Sequence, residues 1–129
     1  MTIFRLAVVE DDVSFRESLE GLLVSVGYEV LPYLSAEDLL ASERLQDIDC
    51  LITDYGLQGM NGIDLLRAVH VVRAELPVII ITARSEATIL RDALAAGARR
   101  AFTKPVDTSD LLKAITAVLE PGGASSVQT

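Results

Sequence analysis

The sequence is poor in several kinds of residue, and each shortage argues against a class of protein. It has one cysteine, Cys50, so an internal disulfide framework is excluded, and a reducing cytoplasm is the expected compartment. Arg and Asp interrupt every apolar stretch, so no run is long enough to span a bilayer. Residues 1–5 lack the basic leader and apolar segment with which a signal peptide begins. We therefore expect a soluble, cytoplasmic domain without a membrane segment.

Basic residues are also few. Lys and Arg number 11 against 19 Asp and Glu, which gives a formal net charge of −8. A domain that holds nucleic acid needs a basic face for its phosphate contacts. The charge balance therefore argues against direct nucleic-acid binding by this domain, and it says nothing about an adjoining one.

What the sequence does have is enough apolar residues for one core. Half of its 129 residues are hydrophobic, at a length close to the commonest domain size. We predict one domain over residues 1–120. Residues 121–129, PGGASSVQT, are typical of a flexible tail or the start of a linker.

Apolar, β-rich runs alternate with segments of helical periodicity. The runs occupy residues 4–9, 28–33, 48–53, 78–82 and 100–103. The third and fourth are almost continuously apolar, as in strands covered on both faces, and Pro32 in the second favours an edge strand. Because strand–helix–strand crossovers are right-handed, five such repeats predict an α/β fold in which five helices cover both faces of a parallel sheet.

Polar side chains follow four of the five runs. Parallel strands bring their carboxyl ends to one edge of a sheet, and ligands bind there. The residues at that edge are Glu10, Asp11, Asp12, Asp54, Thr82 and Lys104. Most have a structural explanation when taken singly, such as helix capping by Asp11 or Asp12, or a solvated Lys104. Their coincidence at one edge favours a functional site.

The chemistry of this set is that of phosphoryl transfer to a carboxylate. Three aspartates packed together repel one another unless a cation lies among them. Mg²⁺ is the expected cation, since it prefers hard oxygen ligands and bridges carboxylates to phosphate. A carboxylate such as that of Asp54 can attack phosphorus, while Mg²⁺, Lys104 and the Thr82 hydroxyl would neutralise the phosphoryl oxygens.

With these residues the chain resembles a response-regulator receiver domain of two-component signalling, from Ile3 to about Leu119. The motifs that carry the resemblance are Asp11-Asp12, Asp54, Met60-Asn61-Gly62, Thr82-Ala83, Ala96-Gly97-Ala98 and Phe102-Thr103-Lys104-Pro105. Three stretches resemble receivers of the nitrogen-fixation regulator type: Ser35-Ala36-Glu37, Leu76-Pro77-Val78-Ile79 and Lys104-Pro105-Val106. The resemblance implies a flavodoxin-like, doubly wound sheet of five strands in the order 2-1-3-4-5.

The resemblance also implies the phosphoacceptor and the metal ligands. Asp54 would take the phosphoryl group. Asp12 would bind Mg²⁺ directly and Asp11 largely through water, and the backbone carbonyl of Gly56 would be a further ligand.

The remaining site residues would form the switch. Lys104 would contact the phosphoryl group, and Thr82 would hydrogen-bond to it on activation. Phe102 would turn inward as Thr82 moves. The Lys104–Pro105 peptide is expected to be cis, which proline makes possible in a tight loop.

The sequence departs from the receiver pattern near Asp54. Gln58 stands where receivers commonly have proline, so the loop of residues 56–59 is expected to be more mobile than usual. Gly56 and Arg84 stand at two positions that control the access of water to the acyl phosphate. Gly56 offers no side chain, and Arg84 would shield the phosphoryl group or engage it. The lifetime of the phosphorylated state is therefore not predicted.

The leading hypothesis is a signalling switch phosphorylated by a sensor histidine kinase or a phosphotransfer protein. It would be an enzyme only in promoting its own phosphorylation and dephosphorylation. Its partner surface would be the fourth helix, fifth strand and fifth helix, where a second copy of the chain would bind. His70, which lacks acidic or cysteine partners at metal spacing, is predicted to be a helix-face residue rather than a phosphodonor.

Two other functions stay open at this point. A Mg²⁺-dependent phosphohydrolase with an aspartyl nucleophile usually has a second acid where this chain has Gly56, and it carries a cap domain. A flavodoxin-like nucleotide- or flavin-binding module needs a first loop rich in glycine or hydroxyls, whereas Glu10, Asp11 and Asp12 would repel a phosphate.

Overall fold

The structure is a computed structural model that describes residues 2–83 and 87–120. Arg84 and the predicted tail of residues 121–129 lie outside the described residues. No helix in the described part is both long and apolar enough to cross a membrane.

Strands and helices alternate along the chain as predicted. The elements are β1 (Arg5–Val9), α1 (Val13–Ser25), β2 (Glu29–Tyr33), α2 (Ala36–Ala41), a 3₁₀ turn (Leu45–Asp47), β3 (Cys50–Asp54), α3 (Gly62–Val72), β4 (Val78–Thr82), α4 (Ala87–Ala96), β5 (Arg100–Thr103) and α5 (Thr108–Leu119). The five apolar runs are confirmed as strands, with bounds that differ by at most two residues.

The strands form one parallel sheet in the order β2-β1-β3-β4-β5, which confirms the predicted order. β2 lies at an edge, where Pro32 lacks an N–H to donate. β3 and β4 lie inside the sheet, and every one of their residues is buried. Because all carboxyl ends point the same way, the residues that follow β1, β3, β4 and β5 meet at one edge.

Each face of the sheet packs against its own group of helices, because successive side chains of a strand point to opposite faces. The face that we call the α1/α5 face includes Leu6, Val8, Leu19, Leu23, Ile52, Ile79, Ile81, Leu111, Ala114 and Ile115. The opposite face, the α2–α4 face, includes Ala7, Val9, Ala36, Leu39, Leu51, Ile63, Leu65, Leu66, Val69, Val78, Ile80 and Ala93.

Side-chain caps fix where the helices begin. Asp12 caps α1, Ser35 caps α2, Asn61 caps α3 and Asp107 caps α5. Each side chain accepts the backbone N–H of the residue three positions later. The Ser35 hydroxyl, for example, accepts the N–H of Asp38 at 3.0 Å.

Two contacts hold the C-terminal end of α3. The side chain of Arg73 donates from one guanidinium nitrogen to the carbonyls of Leu45, at 2.7 Å, and Ile48, at 2.6 Å. His70, on α3 as predicted, places Nε2 2.9 Å from the carbonyl of Leu76. The imidazole also covers Gly97, where a Cβ would lie 3.2 Å from ring atom Cε1.

Candidate functional site

Four strand ends bring polar side chains to the carboxyl edge of the sheet. Glu10 and Asp11 follow β1, Asp54 ends β3, Thr82 ends β4, and Lys104 follows β5. The backbone N–H of Lys104 donates to the carbonyl of Thr82 at 2.7 Å, so the last two strands are joined as far as the site itself.

Three carboxylates form a cluster at this edge. Side-chain oxygens of Glu10, Asp11 and Asp54 all lie within 4.8 Å of one another, which we call the acidic cluster. Glu10 and Asp54 are buried, with side chains 3% and 8% exposed, and Asp11 is more open to solvent. Their like charges and their burial make this a place where a cation would be stabilised.

Asp12, which was predicted as a direct metal ligand, is not a member of the acidic cluster. Its Oδ1 accepts the N–H of Phe15 at 3.1 Å, so it acts as the cap of α1. Glu10 occupies the place beside Asp11 instead. Glu10 was predicted to lie at this edge but was given no role, although its position directly after Val9 at the end of β1 was the available indication.

Glu10 is held on both carboxylate oxygens. Oε1 accepts from Lys104 Nζ at 2.9 Å and Oε2 accepts from the N–H of Asp12 at 3.1 Å. Its backbone carbonyl accepts from the side chain of Arg16 at 2.9 Å. Burial raises the pKa of Glu10, an effect that the hydrogen bond from Lys104 opposes.

Asp54 is held less completely. Its Oδ1 is the one buried side-chain oxygen or nitrogen in the described part of the chain that has no hydrogen-bond partner. Lys104 Nζ lies 3.4 Å away, close enough for an ion pair. Burial raises the pKa of Asp54, and the positive charge of Lys104 opposes that rise. A buried carboxylate oxygen without a hydrogen-bond partner lowers the stability of the fold, and a bound ligand that contacts this oxygen would remove that cost.

Lys104 stands between the two buried carboxylates. Burial by itself lowers the pKa of Lys104, but the hydrogen bond to Glu10 and the charges of Asp54 and Glu10 outweigh it and raise that pKa. The ammonium also lies over the ring of Phe15, 4.2 Å from the ring centroid. The Lys104–Pro105 peptide is cis, as predicted.

The loop between β3 and α3 passes close to Asp54. A Cβ on Gly62 would lie 2.5 Å from the carbonyl oxygen of Asp54, so only glycine fits at the start of α3. Gly56 is exposed, and a Cβ there would lie 3.8 Å from Asp54 Oδ2. Its carbonyl belongs to the loop beside the acidic cluster, where the sequence predicted a metal ligand.

This loop has an anchor that the sequence analysis missed. Glu37 of α2 accepts the N–H of Met60 through Oε2 at 3.2 Å. Gly59 has a φ of +78°, and a Cβ there would lie 2.9 Å from the same oxygen. Leu57 is buried in the core of the α2–α4 face. The mobility expected from Gln58 stays a prediction, and these contacts act against it.

Thr82 and Phe102 point to opposite faces of the sheet. Thr82 pairs in register with Thr103, and Ile81 pairs with Phe102, so the pleat separates the two predicted switch residues. Phe102 packs against the α1/α5 face, with the guanidinium carbon of Arg100 4.9 Å from its ring centroid. An inward turn of Phe102 would therefore not enter space that Thr82 leaves on the other face.

The acidic cluster fits a hard divalent cation by its chemistry. It offers carboxylate oxygens only, and one of them is the unpartnered Oδ1 of Asp54. Mg²⁺ prefers such oxygens and keeps water ligands that a partly open member such as Asp11 leaves room for.

Comparison with known proteins places these features in a family. The family model for the response regulator receiver domain matches residues 6–116. Nodulation protein W of Bradyrhizobium diazoefficiens is 35% identical over 113 residues, which are 88% of this chain and 50% of that protein. The transcriptional regulatory protein FixJ of Azorhizobium caulinodans is 32% identical over 112 residues, which are 87% of this chain and 53% of that protein.

Solved structures resemble the chain over almost its whole length. The BeF3-activated DrrB receiver domain superposes with a TM-score of 0.85 at 28% identity, and the match covers 93% of this chain and 100% of that one. The match thus covers all of that receiver domain. The chain spans only about half the length of the two curated relatives named above.

Proposed function

We propose a function from the premise that this chain belongs to the response regulator receiver domains of two-component systems. The predicted family is thereby confirmed, including its likeness to FixJ-type receivers. The proposal is that Asp54 takes a phosphoryl group from a phosphorylated histidine of a sensor kinase or a phosphotransfer protein. The observation that carries it is the buried Oδ1 of Asp54, which has no hydrogen-bond partner in the described part of the chain.

The proposed transfer uses the residues of the carboxyl edge. An oxygen of Asp54 bonds to phosphorus while the phosphorus–nitrogen bond of the donor breaks, and the electron pair of that bond stays on the imidazole. Lys104 lies 3.4 Å from Asp54 Oδ1 and would turn toward the phosphoryl oxygens. Thr82, at the end of the neighbouring strand, would donate its hydroxyl to one of them.

We further propose that Mg²⁺ binds at the acidic cluster through Asp11, Asp54 and the carbonyl of Gly56. Bound there, it would neutralise the charge that builds up on the phosphoryl oxygens. Both oxygens of Glu10 are already engaged and Asp12 caps α1, so these two residues would act on the metal less directly.

Thermal unfolding with and without Mg²⁺ distinguishes these ligands. Mg²⁺ raises the melting temperature by mass action when it binds the folded chain. Asp11→Asn is expected to abolish that increase, and Asp12→Asn to preserve most of it. The reverse result would make Asp12 the ligand, as the sequence analysis predicted.

Intact-mass measurement tests the phosphoacceptor. With acetyl phosphate and Mg²⁺ the wild-type chain is expected to gain the mass of one phosphoryl group, and Asp54→Asn to gain none. Asp64→Asn, an exposed acid in the first turn of α3, is the matched control and should behave as wild type. An undiminished mass gain in Asp54→Asn would refute the assignment.

The consequence of phosphorylation is proposed to be a change in the surface formed by α4, β5 and α5. Beryllofluoride, a mimic of the phosphoryl group, should change the sedimentation of the wild-type chain if a second copy binds there, and change it less in Thr82→Ala. Phe102→Ala tests the second predicted switch residue independently of Thr82, because the two side chains point to opposite faces of the sheet. A full response in Thr82→Ala would show that Thr82 does not couple the site to this surface.

Regulation, rather than metabolism, is the role that the family supports. Any output domain, and what it would act on, belongs to the part of the curated relatives that this chain does not span. A cytoplasmic location stays a prediction, and it rests on the single free cysteine, Cys50.

A further inference from the structure

We propose that Phe15 is a positioning residue for the phosphoryl transfer, whose ring holds the ammonium of Lys104 beside Asp54 without neutralising it. The inference rests on the proposed function and adds to it a residue on α1 that had no role in the site until now. The geometry that supports it is the contact of 4.2 Å between Lys104 Nζ and the centroid of the Phe15 ring.

Lys104 has three neighbours of different kinds. Nζ donates to Glu10 Oε1 at 2.9 Å, faces Asp54 Oδ1 at 3.4 Å, and lies over the ring of Phe15. The Lys104 side chain is 20% exposed, so most of it is withdrawn from water. A cation–π contact is stronger under such partial desolvation than on an open surface.

The ring and the carboxylate hold the ammonium in different ways. Glu10 attracts Lys104 with a full opposite charge, so it competes with any anion that arrives at Asp54. The ring of Phe15 attracts the cation through its quadrupole and carries no net charge. A phosphoryl group on Asp54 would therefore meet an ammonium that the ring keeps in place and leaves fully charged.

The backbone of Phe15 is tied to the residues that build the site. Its N–H donates to Asp12 Oδ1 at 3.1 Å, and the next residue, Arg16, donates to the carbonyl of Glu10 at 2.9 Å. The side chain packs against the core of the α1/α5 face. The ring is thus fixed relative to Glu10, and the position of the ammonium is fixed with it.

An alternative is that Phe15 only fills the core. A groove of about 140 Å³ between α1 and α5 is lined in part by Phe15, Leu22 and Leu111, so loss of the ring would also loosen packing. The two explanations differ in one respect. A packing role acts whatever residue stands at position 104, whereas a positioning role requires the ammonium of Lys104.

The test measures the affinity for beryllofluoride at saturating Mg²⁺ in the full chain. Phe15→Leu removes the ring and keeps an apolar side chain, and is expected to weaken beryllofluoride about tenfold. Phe15→Tyr keeps an aromatic face and should restore an affinity close to that of the wild type. Leu22→Ala, in the same groove and on the same helix, should lower thermal stability without this loss.

A double-mutant comparison isolates the ammonium. In a Lys104→Met background, Phe15→Leu should cause no further loss of beryllofluoride affinity. Mg²⁺ affinity in the absence of beryllofluoride should not fall in Phe15→Leu, since the ammonium of Lys104 is not a ligand for a cation and repels one. If Phe15→Leu does not fold, Phe15→Met takes its place in both comparisons.

Two results would overturn the inference: wild-type affinity in Phe15→Leu, or an equal loss in the presence and absence of Lys104. Failure of the wild-type chain to bind beryllofluoride, or to gain mass with acetyl phosphate, would instead refute the proposed function on which the inference rests.

Discussion

The charged side chains at the two ends of the sheet differ in how completely their charges are matched by partners. At the carboxyl end, Glu10 and Asp54 are buried, burial raises both of their pKa values, and one oxygen of Asp54 has no hydrogen-bond partner in the described part of the chain. This arrangement costs stability in the absence of a ligand.

At the amino end the charged side chains have partners, and those of Arg5 and Glu29 are also well exposed to solvent. Arg5 pairs with Glu29 across β1 and β2, and its backbone N–H donates to Asp49 at 2.7 Å. Arg73 donates to one carbonyl in the 3₁₀ turn and to another directly after it. Substitutions at the amino end should therefore affect stability alone, whereas substitutions at the carboxyl end should change both stability and phosphorylation.

The largest effect is expected from Gly62→Ala. Its Cβ would lie 2.5 Å from the carbonyl oxygen of Asp54, so either β3 or α3 must move. We expect a loss of about 3 kcal/mol in the free energy of unfolding, and slower phosphorylation. Denaturant unfolding and intact mass measure the two effects.

Gly21→Ala is the control for that substitution. Gly21 lies on α1, and an added Cβ there would have no neighbour within 4 Å, so alanine should stabilise the helix by about 0.5–1 kcal/mol. Equal stability of the Gly62 and Gly21 variants would contradict the close approach at Asp54.

At the amino end, Arg73→Met is expected to cost about 2 kcal/mol, because two carbonyls lose a charged donor. Phosphorylation of Asp54 should proceed at the wild-type rate in the folded variant. Arg73→Lys should recover only part of the stability. The ammonium keeps the charge, but it does not hold two acceptors in the fixed geometry of a guanidinium. Slow phosphorylation in Arg73→Met would break the distinction between the two ends.

Asp54→Asn should move stability in the opposite direction. In buffer without Mg²⁺ we expect a gain of about 1 kcal/mol at neutral pH, the usual scale for a buried polar group that lacks a partner. The folded state holds the Asp54 proton more tightly than the unfolded state does. Wild-type stability should therefore fall as pH rises from the ordinary carboxyl pKa, about 4, through the raised one.

Unfolding curves between acid and neutral pH measure that effect. The pH dependence should be weaker in Asp54→Asn, and Asp92→Asn, an exposed acid on α4, should keep it. A variant at Asp54 that is less stable than wild type at neutral pH would mean that the ion pair with Lys104 outweighs the burial of the carboxylate.

The smallest effect is expected from Glu29→Gln at the amino end. The Arg5 and Glu29 side chains are 40% and 50% exposed, so water screens their attraction. The melting temperature should fall slightly at low salt, and the difference from wild type should vanish at high salt. A loss that persists at high salt would show that the pair is held more rigidly than its exposure suggests.

The fold was predictable because its determinants are local. Hydrophobic runs and helical stripes are patterns of neighbouring residues, and parallel crossovers leave few topologies. The place of the site followed from the same reasoning, since Asp54, Thr82 and Lys104 each end or follow a strand.

The features that the sequence did not predict depend on a one-residue shift in the position of a strand, or on contacts between residues far apart in the chain. Whether Glu10 or Asp12 accompanies Asp11 depends on the residue at which β1 ends. The separation of Thr82 from Phe102 depends on the register of β4 with β5. Glu37 reaches a loop 23 residues away, which no local pattern indicates.

The contact of His70 with Gly97 has a practical consequence for spectroscopy. The chain has one histidine, so its imidazole protons give isolated resonances that need no isotope label or assignment. That ring lies between the end of α3 and the turn that leads from α4 into β5. A displacement of α4 on phosphorylation would alter the ring's magnetic surroundings, and a one-dimensional proton spectrum would record it in real time.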